Sequence, residues 1–115
     1  MTTVAGVQGV PGFPHAPAGW TQADGESTAR DAGLEPAESH WEAVRALQEY
    51  FARHEEGPVI NSRELHDALE ERFHKDGGMK YLYELFPGGP IAQGCRIAGL
   101  KAPAGSIDQG FGSVQ

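Results

Sequence analysis

A single cysteine, Cys95, stands in the run Gly94-Cys95-Arg96-Ile97-Ala98-Gly99-Leu100, with Phe86-Pro87-Gly88-Gly89-Pro90 before it and Lys101-Ala102-Pro103-Ala104-Gly105-Ser106 after it. Thiolate is the reactive form of cysteine, and its population rises beside cations, at a helix N-terminus and where water has access. Arg96 and Lys101 supply the cations. Residues 87–107 carry these two positive charges and no acidic side chain, in a chain whose formal net charge is -7. One reading of the segment is therefore a nucleophilic thiol beside a glycine-rich hinge, with Arg96 and Lys101 favouring the anion and docking acidic partner surfaces. The other is that an unpaired cysteine commonly acts as a small buried hydrophobe. Periodicity alone leaves both open.

Other residues with chemical potential weigh less. His66, Glu70 and His74 recur at every fourth position and are legitimate zinc ligand types. At 1.5 Å rise per residue, however, the two histidines would stand about 12 Å apart on one straight helix face, too far to wrap one ion. His40, beside Trp41, and His54, near a helix end, read as surface or capping residues. No Ser, His and carboxylate grouping carries a local triad signature. Gly88-Gly89 lacks both the Gly-Lys-Ser/Thr ending and the preceding strand of a phosphate loop. No metal or small-molecule cofactor is expected.

Composition sets the frame. At 115 residues the chain fits one compact domain. One cysteine cannot close an internal disulfide, which points to a reducing compartment, the cytoplasm by default. No apolar run approaches the roughly 20 residues of a membrane helix, and the N-terminus has no basic leader with an apolar core, so a soluble, unanchored protein is expected. Residues 1–60 hold three arginines against nine acids, while residues 61–115 hold six basic residues against seven acids. Net negative charge opposes counterion-release binding, so nucleic acid is disfavoured as a partner.

The elements that would position Cys95 are helical. Residues 1–19, rich in Gly, Pro and Ala, are expected to be mobile, with at most a short hairpin over residues 13–20. A short polar helix is predicted over residues 23–32, ended by Gly33. From Pro36 to His54, Trp41, Val44, Leu47, Tyr50 and Phe51 recur at helical spacing opposite Glu38, Glu42, Arg45, Glu49 and Arg53. Glu49 and Arg53 form an i, i+4 pair. Asn61 reads as the N-cap, with Glu64 at N3, of a third helix over residues 62–74 that Gly77-Gly78 closes. An apolar helix follows over residues 79–86. It could serve as the recognition helix of a helix-turn-helix, yet Lys80 is its one cation, and Tyr81, Leu82, Tyr83, Leu85 and Phe86 suit a core. Pro90 then opens a last short helix through Ile91, Cys95 and Ala98, with Gly99 as terminator. The fold class is mainly α, divided into an N-terminal segment (1–19), a helical bundle (20–86) and a C-terminal arm carrying Cys95 (87–115).

Several of these stretches together resemble the DsrC/TusE family, also called the gamma subunit of dissimilatory sulfite reductase. They are His40-Trp41-Glu42-Ala43-Val44-Arg45, Tyr50-Phe51, the run from Lys80-Tyr81-Leu82-Tyr83-Glu84-Leu85-Phe86 to Pro90, and Gln93-Gly94-Cys95-Arg96-Ile97-Ala98-Gly99-Leu100. The resemblance covers residues 33–107. It implies a small orthogonal helical bundle, often with an N-terminal hairpin, and a flexible C-terminal arm that carries sulfur as a persulfide or trisulfide. The full family pattern places two arm cysteines with ten residues between them, the second serving as principal carrier. Here Cys95 matches the first, and Ser106 stands at the position of the second. Residues 108–115 continue where the family normally stops. A hydroxyl cannot hold sulfane sulfur, and one thiol cannot form an internal disulfide.

The expectation is thus a sulfur-carrier accessory protein rather than a stand-alone enzyme. Cys95 would hold a persulfide and pass it between sulfur-donor and sulfur-acceptor proteins, sulfite reductase or small sulfurtransferases by resemblance. The alternative is a regulatory paralogue that binds sulfur-metabolism proteins, or less favourably DNA, without the two-cysteine cycle. A variant altered at residue 106 is a third origin for the same sequence.

Overall fold

The structure, a computed structural model, describes residues 10–54 and 60–103. Five helices and one 3-10 turn run in order: α1 (Gln22–Asp31), α2 (Glu38–Arg53), α3 (Ser62–Arg72), the turn His74–Asp76, α4 (Gly78–Leu85) and α5 (Ala92–Ala98). Among the described residues there is no sheet. The expected hairpin is reduced to one antiparallel bridge between Val10 and Phe13.

Local chemistry explains the boundaries. Thr21 and Asp24 form a reciprocal capping box at the start of α1: Thr21 Oγ1 accepts from the Asp24 N–H and Asp24 Oδ2 from the Thr21 N–H. At its end Gly33, with φ +85°, donates to the Arg30 carbonyl, and Leu34 N–H reaches back to Ala29. The two bonds make a Schellman ending. The second helix begins at Glu38 rather than at Pro36, because its N-cap is Ala37 and the cap bond comes from farther on. His40 Nδ1 accepts from the Ala37 N–H at 3.0 Å. With Nδ1 accepting, the neutral ring carries its proton on Nε2, which donates to the Leu85 carbonyl at 3.0 Å. His40, expected to be a surface or capping residue, thus makes the cap bond of α2 and also ties α2 to the end of α4.

Asn61 Oδ1 accepts from the N–H groups of Arg63 and Glu64, as a helix N-cap should. The helix it starts ends at Arg72, two residues short of the expected limit, and Gly77 at φ +124° leads into α4. Because α4 opens on glycines, its free N–H groups need a borrowed acceptor: Glu70 Oε1 takes the Met79 N–H at 2.8 Å.

The central element is α2. It packs against α5 and α4; α5 also packs against α1, and α3 packs against α4 and the 3-10 turn. Trp41, Val44 and Leu47 from α2 meet Leu65, Leu69, Phe73, Met79, Leu82, Ile97 and Ala98 in one apolar core. Residues 10–20, expected to be loose, are anchored to this core. Phe13 and Ala16 are buried, and Phe13 meets Trp20 and Trp41 edge-on at 5.1 and 5.8 Å. Arg45 covers the Phe13 ring at 4.7 Å and donates to the Gly12 carbonyl. Two indoles and a phenyl ring supply apolar contact that the glycine and proline content of the segment concealed. The mobility expected of residues 1–9 lies outside the described residues.

Candidate functional site

Cys95 occupies the fourth position of α5. The chain enters this helix through a turn that is bonded rather than loose. Gly89, at φ +111°, donates to the Phe86 carbonyl at 2.8 Å, and the Gly88 N–H donates to Gln93 Oε1 at 3.1 Å. Gly88, Gly89 and Pro90 are buried. The expectation of an open hinge is corrected on this point: glycine was needed here for a positive φ and a tight turn, and both put the backbone inside.

At the other end, Gly99 adopts φ +79°, the Gly99 N–H reaches the Arg96 carbonyl and the Leu100 N–H reaches the Cys95 carbonyl. The same Schellman geometry that ends α1 ends α5. Two remaining carbonyls are claimed by side chains from elsewhere in the chain. Trp20 Nε1 donates to Ile97 at 2.8 Å, and Gln48 Nε2 donates to Ala98 at 3.0 Å. Glycines set the approach. A β-carbon on Gly94 would lie 2.8 Å from Leu47 Cδ1, and one on Gly25 would lie 2.9 Å from Trp20 Cζ2 and 3.1 Å from the Ile97 carbonyl.

The result is an enclosed thiol. Cys95 has 0% exposure, and burial pushes its pKa from the ordinary 9.0 up to about 12. Desolvation disfavours the thiolate, and no cation offsets it. This corrects the expectation of a water-reachable, cation-activated thiolate. Arg96 is half-buried on α5 and Lys101 is exposed beyond the helix end, so both share the segment of Cys95 without activating it. Ser106 and residues 108–115 lie outside the described residues.

Nothing else among the described residues assembles a competing centre. Among the described residues no group of three or more His, Cys, Asp or Glu could hold a metal. Glu70 is engaged with α4, and His74 Nδ1 lies 3.8 Å from its other oxygen. A groove of about 140 Å³ between α2 and α3, lined by Ala46, Tyr50 and Leu69 among others, is crossed by Glu49, which pairs with Arg53 at 2.7 Å and Arg72 at 3.1 Å. Of α4, the segment weighed as a recognition helix, Met79 and Leu82 are buried while Lys80 and Tyr83 are exposed.

Two residues central to the setting of Cys95 had not been singled out as site residues: Trp20 and Gln48. The signal for Gln48 was present, since it lies four residues after Val44 and seven after Trp41 on the apolar stripe of α2. A glutamine there has to bond to something. Its Nε2 holds Ala98, and its Oε1 is buried without a partner among the described residues.

Among the described residues no helix is long and apolar enough to cross a membrane. Comparison with known proteins then places the chain. A family model described as DsrC like protein matches residues 9–107. The chain is 37% identical over 89 residues to the sulfurtransferase TusE of Salmonella typhimurium, covering 76% of this chain and 80% of that protein. It is 35% identical over 89 residues to the TusE of Yersinia pestis, with the same coverage. Its fold is similar to the NMR structure of Allochromatium vinosum DsrC, with a TM-score of 0.64 and 32% sequence identity over 87% of this chain and 88% of that one. A seven-residue glycine-capped helix bearing the sole cysteine thus sits in the matched region, and the chain belongs to the DsrC-like protein family.

Proposed function

We propose that the protein is a sulfur-relay accessory protein of DsrC/TusE type that uses one thiol. The observation that carries this reading is the family match over residues 9–107, which includes Cys95, together with similarity to proteins named sulfurtransferase. In the first step a Cys95 thiolate, having released its proton to water, attacks the outer sulfur of a donor persulfide. The donor S–S bond breaks, the donor leaves as thiolate, and Cys95 becomes a persulfide. An acceptor thiolate then attacks that outer sulfur and Cys95 thiolate is regenerated. No external oxidant or reductant is consumed, because each step exchanges one S–S bond for another. Arg96 and Lys101 would lend positive charge to the docking of acidic donor and acceptor surfaces. The cytoplasm, where thiols stay reduced, suits this chemistry.

A second reading rests on the enclosure of Cys95 and on Ser106: a partner-binding module in which the thiol is a core residue. The two readings separate in one experiment. Incubation with a persulfide donor, read by intact mass, is expected to add 32 Da multiples (about one sulfur atom each, reversible by thiol exchange) to the wild type and none to Cys95→Ala. An unmodified wild-type mass removes the relay. Undiminished partner binding by Cys95→Ala would then support the binding module.

A further inference from the structure

We propose that α5 is a latch that carries Cys95, opening as one unit about the bonded turn at residues 86–90, and that Gln48 and Trp20 are the positioning residues that hold it shut. The latch would supply the access step of the relay proposed above and rests on that reading for its purpose, although its existence can be tested separately.

The hydrogen-bond pattern divides the segment from the body. The N–H groups of Gly89, Gln93, Gly94, Cys95, Gly99 and Leu100 all bond to carbonyls within residues 86–100, and the Gly88 N–H bonds to Gln93 inside the same stretch. A unit that satisfies its own backbone can move without losing those bonds. Two side-chain hydrogen bonds from the body fall at the far end from the turn, where Trp20 holds Ile97 and Gln48 holds Ala98, while Gly94 packs on Leu47 between them and the turn. A turn at one end and two catches at the other is the geometry of a hinged flap. Because α3, α4 and the 3-10 turn pack on one another and α4 also packs on α2, displacement of α5 leaves that half of the core assembled.

Gln48 sets the balance. One of its side-chain atoms clasps Ala98 while its Oε1 is buried with no partner among the described residues. The closed state leaves an acceptor desolvated that water would satisfy in the open state, so the latch is weaker than a fully paired one. Cys95, wholly enclosed when shut, is carried out with the helix.

The test measures alkylation of Cys95 by iodoacetamide in the full chain, by mass, across a denaturant series, beside global unfolding followed by far-UV circular dichroism. A hinged opening exposes less surface than global unfolding, so the labelling rate should rise with denaturant less steeply than global unfolding does. Gln48→Ala and Trp20→Phe should each speed labelling at least tenfold beyond what their change in global stability produces. Labelling that tracks global unfolding, or variants whose labelling follows global stability alone, overturns the latch; if a variant does not fold, the wild-type slope decides. A protein that labels by the shallow route yet gains no sulfur from a persulfide donor keeps the latch and loses the relay, whereas labelling only through global unfolding removes the latch whatever the sulfur assay gives.

Discussion

Gly94 faces Leu47 so closely that a β-carbon at residue 94 would lie 2.8 Å from Leu47 Cδ1. Helix α5 therefore rests on α2 at a separation that the smallest side chain permits, one residue before the buried cysteine. Gly94→Ala should overpack this contact and destabilise the fold by about 1–3 kcal/mol. Intrinsic helix propensity pulls the other way by up to about 1 kcal/mol, so a stabilised variant in denaturant titration would mean that α5 can shift without loss.

Gly99 and Gly33 provide a controlled comparison. Both end a helix at positive φ, +79° and +85°, but a β-carbon on Gly33 would meet nothing within 4 Å, whereas one on Gly99 would lie 2.5 Å from Trp20 Cδ1. Replacing either with Ala incurs the left-handed backbone cost of about 1 kcal/mol. Gly99→Ala should lose a further ~1–3 kcal/mol because the Trp20 ring that holds Ile97 has to move. Equal midpoints for the two variants would show that the indole is not seated where its bond to Ile97 places it.

Local order was legible in the sequence, and the state of the site was not. Asn61 before Ser62, Gly33 and Gly99 at helix ends, and the stripe of Trp41, Val44 and Leu47 are near-neighbour signals, so the helices could be drawn from them. Whether Cys95 faces water depends on Trp20 and Gln48, 75 and 47 residues away in the chain, and no local pattern encodes a contact of that separation. Gly88 and Gly89, which read as a hinge, form a bonded and buried turn, and Gly94 is where α5 touches α2. Arg96 and Lys101 share the segment of Cys95, yet the shift of the thiol comes from burial.

On the α2–α3 face, Glu49 holds its carboxyl below the usual 4.5, first through hydrogen bonding to Arg72 and then to Arg53. A carboxylate with a lowered folded pKa stabilises the protein above its unfolded value and loses that contribution as pH falls through the folded one. Both arginines are more than half exposed, so solvent limits the effect to about 1 kcal/mol or less. Glu49→Gln should flatten the loss of stability below pH 4.5 without altering it near neutrality by more than that amount. Thermal midpoints of the two proteins that fall in parallel through the acid range would show that the ion pairs do not persist in solution.

The alkaline range reports on Cys95 itself. Its folded pKa of about 12 exceeds the ordinary 9.0, so above pH 9 the unfolded chain loses the proton while the folded chain keeps it. Stability attributable to the neutral buried thiol is complete below pH 9 and declines as pH rises toward 12, by up to about 1.4 kcal/mol per pH unit. Tyr50, also raised by burial, adds a decline of the same sign at higher pH, but it is present in both wild type and Cys95→Ala and cancels in their difference. Urea midpoints should therefore converge, with the wild type losing its advantage over Cys95→Ala as pH passes 9. If the difference between the two proteins stays constant, the thiol titrates as an exposed one and the enclosed site described for α5 does not hold in solution. A converging pair would mean instead that the closed protein holds far fewer thiolates than an ordinary cysteine at neutral pH, because burial disfavours the anion. Sulfur transfer at Cys95 would then be governed by how often α5 opens, and its rate should respond to Gln48 and Trp20 more strongly than to substitution of Arg96 or Lys101.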